Sequence, residues 1–153
     1  MKCGKELSVG IAEIDTQHGE LAAAVTSIED AVRLGDRWIS VHSAFVRTAE
    51  CARAHFALEE SLMRVLNYPD IEEHIAAHRE FSNRLDVLLG QTLTAALTEE
   101  SIVFIKGWLE SHVLNHDLRY ARYFAERIIE PGQPAPRALY SIAQGGDMPE
   151  PCA

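Results

Sequence analysis

The apolar positions of this chain fall into four long runs with helical spacing. Ile11, Ile14, His18, Leu21, Val25, Ile28 and Val32 recur every three or four residues. That is the inward stripe of a helix packed in a bundle. It predicts a first helix over 15–34, stopped by Gly35-Asp36 with glycine at the C-terminal cap. A second stripe, Trp38, Val41, Phe45, Thr48, Ala52, His55, Glu59, Leu62 and Leu66, predicts a helix over 37–66. Asn67-Tyr68-Pro69-Asp70 follows as a turn, since proline disfavours helix in the residue before it. Asp70 and Glu73 open the third helix in a capping-box pattern. Its stripe is Ile71, His74, His78, Phe81, Leu85 and Leu88, ending near Gly90. Thr98 caps the fourth helix, with Glu99 and Glu100 in its favourable first turn.

The fourth helix changes phase. Ile102, Ile105, Leu109 and His112 keep regular spacing, which would carry His116 inward next. Val113, Tyr120, Phe124 and Ile128 instead define a stripe shifted by one residue, and Asp117 falls on it. A π-bulge produces such a slip. Asp117 is therefore expected inside and His116 outside, as a surface histidine. The fold expected is all-α: an antiparallel up-down four-helix bundle over 1–130, its first 14 residues a short N-terminal arm. Residues 131–153 form a Pro/Gly-rich C-terminal tail without regular structure, in which the apolar segment 138–142 could dock on the bundle.

The stripes carry polar residues where a bundle would bury them: His18, His55, Glu59, His74, His78, His112 and Asp117. His55 and Glu59, and again His74 and His78, stand four residues apart, which puts each pair on one helix face. Burying so many polar groups without partners would be very costly. A metal cluster accounts for all of them at once. Imidazole with carboxylate suits iron, zinc, copper or manganese, and two carboxylates are enough to bridge a metal pair.

Composition narrows the function. The net charge of −9 argues against a nucleic-acid surface. No apolar run approaches the roughly 20 residues of a membrane span, and the N-terminus lacks the apolar core of a secretory signal. Cys3, Cys51 and Cys152 are odd in number and far apart, so a reducing, cytoplasmic setting is expected. Glu60, Glu72, Glu73, Arg79 and Arg84 read as a solvated face, and His42 as exposed.

The chain resembles the hemerythrins, most closely the single-domain bacterial ones. The resemblance rests on Leu7-Ser8-Val9-Gly10-Ile11, Ile14-Asp15 and Gln17-His18; on His55-Phe56, Glu59-Glu60, Met63 and Tyr68-Pro69; on His74, His78 and Phe81; and on Trp108-Leu109, His112-Val113 and Asp117. It implies two iron ions joined by an oxo or hydroxo bridge, a di-iron centre that binds dioxygen reversibly for transport or storage. By that resemblance His74, His78 and His112 hold one iron, and His18 and His55 hold the other. Glu59 and Asp117 bridge both, and one position of the two-histidine iron stays open. Azide, nitric oxide or peroxide could also bind there. Leu109, Val113, Phe56 and Trp108 would wall the ligand pocket. Cys3 and Cys51 stand where bacterial relatives often carry tryptophan and tyrosine; Cys51 reads as a small core residue. A monomer with no catalytic residue is expected. The alternatives are an oxygen or redox sensor acting through a partner, and a di-iron peroxidase or nitric-oxide-handling enzyme.

Overall fold

The structure, a computed structural model, describes residues 7–91 and 99–128. The expected cap Thr98, the terminal cysteines Cys3 and Cys152 and the tail over 131–153 lie outside these residues. Helix α1 spans Ala12–Arg33, α2 Trp38–Val65, α3 Ile71–Gln91 and α4 Glu99–His112. A single π-helical turn, Val113–Asp117, joins α4 to α5, Leu118–Ile128, so the last three pieces make one long helix. The architecture is a four-helix bundle without strands among the described residues.

Local chemistry sets the turns. Gly35 adopts φ 69°, where its N–H bonds to the Val32 carbonyl and that of Asp36 to the Ala31 carbonyl. This is the glycine-closed helix end expected from the sequence. The α2–α3 turn bends at Asn67, φ 51°, a residue type that tolerates the left-handed region. Helix α1 begins three residues before its predicted start. Asp15 lies inside it and folds its carboxylate back onto the preceding segment, accepting from the Val9 N–H at 2.7 Å, the Gly10 N–H at 3.2 Å and the Ser8 hydroxyl at 2.7 Å. Asp70 and Glu73, expected as a capping pair, both accept from the Arg119 guanidinium, which ties α3 to α5.

The stripes meet along the bundle axis. Ile14, Val25, Ile28, Phe45, Met63, Leu85, Ile105, Leu109 and Tyr120 are all buried, each side chain contributing on the order of 1.5–3 kcal/mol. Three apolar expectations need correction. Trp38, the first residue of α2, is 61% exposed. Val32 is half-buried while Ala31 is buried, and Met63 is fully buried where Leu62 and Leu66 are only partly so. Both shifts follow from 3.6 residues per turn, which drifts against a strict 3–4 alternation over a long helix.

Candidate metal centre

All seven polar stripe residues are buried, none more than 2% exposed. They converge from every long helix of the bundle: His18 from α1, His55 and Glu59 from α2, His74 and His78 from α3, His112 from α4 and Asp117 from the π turn. The expected phase slip is present. Asp117 points inward at 0% exposure, because the π turn advances the helix by one extra residue.

Glu59, His74, His78 and His112 form one sub-cluster; His18, His55, Glu59 and Asp117 form the other. The two share Glu59, and Asp117 of the second also reaches His74 and His112 of the first. In the first, the three Nε2 atoms stand 3.0 to 3.2 Å apart. Asp117 spans the two, with Oδ1 3.1 Å from His112 Nε2 and 3.3 Å from His74 Nε2, and Oδ2 3.3 Å from His18 Nε2. Glu59 turns Oε2 to the cluster, 3.2 Å from His78 Nε2, 3.5 Å from His55 Nε2 and 3.6 Å from His74 Nε2. Its other oxygen, Oε1, accepts from the Tyr120 hydroxyl at 2.5 Å.

A ring nitrogen that donates through Nδ1 presents a lone pair at Nε2. His18 Nδ1 donates to the Leu7 carbonyl at 2.5 Å, His55 Nδ1 to Gln17 Oε1 at 3.2 Å and His78 Nδ1 to Glu60 Oε1 at 3.2 Å. Their lone pairs therefore face carboxylate oxygens or one another. His18 Nε2, His55 Nε2, Glu59 Oε2 and both Asp117 oxygens are buried and accept or donate no hydrogen bond. Carboxylate oxygens and imidazole nitrogens packed together in a dry interior need a cation between them, a metal ion or, in its absence, protons held on the rings. The donor set of imidazole and carboxylate, in two groups with shared carboxylates, fits a di-iron site.

Electrostatics inside the cluster are uneven. His55 is pushed down to about 4 by burial, against the opposing pull of Glu59, and burial also lowers His112. His74 goes the other way, to about 9, because its burial is outweighed by the Asp117 and Glu59 carboxylates beside it. His18 is likewise raised, Asp117 overcoming desolvation. Desolvation would raise both carboxylates, but the surrounding imidazoles hold Glu59 and Asp117 below the ordinary range. Tyr120 is driven well above its usual value by burial and then by the two carboxylates, so its hydroxyl remains a donor.

The four expected pocket residues sit beside these ligands. Leu109 and Val113 are buried in the core, as is Phe56, which stacks on His78 at 3.9 Å. Trp108 is half-buried and stacks on His112 at 4.3 Å. Cys51 is half-buried and packs against the core.

Sequence reasoning missed the outer layer. Glu60, read as part of a solvated face, holds His78 and also accepts from Arg64 at 3.0 Å. Gln17 and Leu7 enter the sequence reading only as motif residues, without the contacts that they make to His55 and His18, and Tyr120 enters it only as core. A tyrosine on an inward stripe does carry a signal, since a buried hydroxyl needs a partner. His116 is not a plain surface residue. It is half-buried, with its ring parallel to His112 at 4.9 Å. His42 is half-buried rather than exposed.

Residues 9–124 match the family model described as Hemerythrin HHE cation binding domain. The chain belongs to the hemerythrin family. It is 32% identical over 112 residues to a hemerythrin-like protein of Naegleria gruberi, covering 73% of this chain and 83% of that one. Against a myohemerythrin of Riftia pachyptila the identity is 33% over 66 residues, 43% of this chain and 51% of that protein. A bacteriohemerythrin of Pseudomonas aeruginosa is 25% identical over 75% of either chain. A crystal structure of wild-type hemerythrin superposes with TM-score 0.73 at 20% identity, over 79% of this chain and 94% of that one, a likeness of fold. No helix among the described residues is long and apolar enough to cross a membrane.

Proposed function

We propose that this chain binds dioxygen reversibly at a non-haem di-iron centre and serves in its transport or storage, as a monomeric carrier rather than an enzyme. The observation that supports this most directly is the unequal division of five imidazoles around two shared carboxylates. His74, His78 and His112 would hold one iron, His18 and His55 the other, with Glu59 and Asp117 common to both. When bound, a ferrous pair supplies the two electrons that reversible dioxygen binding draws on.

The chain's own contribution is orientation and exclusion. Hydrogen bonds from Nδ1 fix which nitrogen of His18, His55 and His78 faces the centre. Tyr120 holds its proton against Glu59 Oε1 and so keeps Oε2 turned to the cluster. Phe56, Leu109, Val113 and the inner face of Trp108 keep water from the site. The widely spaced cysteines suit a reducing cytoplasm.

The test is anaerobic reduction of the iron-loaded protein, exposure to oxygen, and repeated degassing while the visible charge-transfer band is followed. A band that appears and disappears over several cycles, blocked by azide, is the expected result. Irreversible oxidation in the first cycle would point to sensing or redox turnover instead. Fewer than two irons per chain in a fully loaded sample would end the di-iron reading.

A further inference from the structure

Trp108, His112 and His116 lie four residues apart along one helix face, and their rings are nearly parallel. Trp108 lies flat on His112 at 4.3 Å with 13° between planes. His116 continues the stack at 4.9 Å and 16°. On its other side Trp108 lies flat on Phe81 at 3.8 Å and 10°. Several other aromatic pairs meet edge to face: Phe56 with Phe81 at 73°, Phe56 with Trp108 at 68°, and Tyr68 with Phe124 at 78°. Edge contacts and offset stacks both satisfy core packing; what sets the Trp108 stack apart is where its two ends lead. Phe56 also lies flat on a candidate ligand, His78, but it is sealed in the interior at 4% exposure. Trp108 is half-buried. It lines a surface groove of about 430 Å³ together with Phe81, Arg84, Val87 and Phe104. One indole thus touches a candidate metal ligand on its inner side and a solvent-open groove on its outer side.

We propose that Trp108 is an electron relay between an outer-sphere one-electron donor arriving at this groove and the metal pair behind His112. The proposal rests on the di-iron reading above. Electron tunnelling weakens steeply with every gap through space, and rings in face-to-face contact leave the shortest gaps available. The other half-buried ring on His112, that of His116, stands farther from it at 4.9 Å, while Leu109 and Val113 are buried aliphatic side chains. In a full reduction two donor molecules each lose one electron, and the ferric pair takes up both in successive steps. The indole ends unchanged, and no covalent bond of the chain forms or breaks. The relay explains how a centre walled off from solvent can be returned to its ferrous form after accidental oxidation.

The experiment uses the full iron-loaded chain, oxidised and mixed with reduced methyl viologen, with the loss of the charge-transfer band followed by stopped flow. Trp108→Leu should slow reduction at least tenfold, while Trp108→Phe, which keeps a ring in the stack, should stay within about threefold of wild type. Iron content and midpoint potential are measured in both, and rates are compared at equal iron content and equal driving force. Trp38→Phe, at the exposed start of α2, should reduce at the wild-type rate. That variant leaves Trp108 as the sole indole of the two in the chain. After a light pulse it should show an indole radical cation by transient absorption when loaded with ferric iron, and none when loaded with zinc. Wild-type reduction rates in Trp108→Leu with two irons retained, or no radical in the ferric protein, would overturn the relay. Should Trp108→Leu not keep two irons, the radical measurement decides. Fewer than two irons in the wild type would overturn the di-iron reading and the relay with it.

Discussion

Asp117 follows His112 by five residues, yet its Oδ1 lies 3.1 Å from His112 Nε2 and both side chains face the bundle axis. An ordinary α-helix would bring the fourth residue onto that face. The π turn over Val113–Asp117 brings the fifth. His116, displaced from the inward position, is left stacked on the outer side of His112. Inside a helix that must carry both groups, the added residue lets one carboxylate reach His18, His74 and His112 together.

Replacing Asp117→Asn should therefore separate the two sub-clusters. Bound iron is expected to fall from two per chain to one or none, measured by metal analysis with helix content checked by circular dichroism. In the metal-free protein the same change leaves His18 and His74 facing a neutral amide, and stability should drop by about 3 kcal/mol, the usual cost of breaking a buried ion pair.

Among the described residues, Glu60 is the one carboxylate that holds a candidate ligand from behind, through His78 Nδ1. Changing it to alanine should weaken metal binding about 10-fold or more, as loss of such outer partners does. Glu60→Gln, which keeps an acceptor, should lose less. The rate of iron release to a strong chelator measures both, and equal rates in wild type and Glu60→Ala would show that His78 needs no carboxylate behind it.

Tyr120→Phe removes a hydroxyl and leaves Glu59 Oε1 buried without its donor. The expected cost is about 1–3 kcal/mol, read from denaturant unfolding of the metal-free chain. Tyr123→Phe serves as the exposed comparison, since its hydroxyl bonds to the Asn67 carbonyl at the surface, and it should cost less.

The metal-free protein should be most stable near pH 6.5. His55 is lowered from 6.5 to about 4, chiefly by burial, so the unfolded chain binds a proton that the folded one refuses. Its contribution is complete above 6.5 and fades as pH falls to about 4. His74 is raised from 6.5 to about 9, its burial outweighed by Asp117 and Glu59. Its contribution is complete below 6.5 and fades as pH rises to about 9. Each limb amounts to roughly 3 kcal/mol at about 1.4 kcal/mol per pKa unit. Unfolding midpoints across this range test the shape: His55→Gln should flatten the acid limb and His74→Gln the alkaline one.

Much of this centre was readable before any coordinates. Period alone places His18, His55, Glu59, His74, His78 and His112 inward, because a side chain on an apolar stripe has only one direction to face. Even the π turn announced itself, through the mismatch between Leu109-His112 and Tyr120-Phe124. What period cannot express is contact between helices. Glu60 sits beside the stripe rather than on it, and only the neighbouring helix brings His78 to its carboxylate. The Leu7 carbonyl has no side-chain signature at all. Trp38 fails for a different reason: the pattern runs to the first residue of the helix, where burial does not follow it.

His18 and Asp117 are 3.3 Å apart although they come from the first helix of the bundle and the π turn of its fourth. During synthesis the early histidines emerge well before anything can close over them. The site is complete only when the fourth helix has left the ribosome and docked. A metal held there would clasp the first helix of the bundle to its fourth.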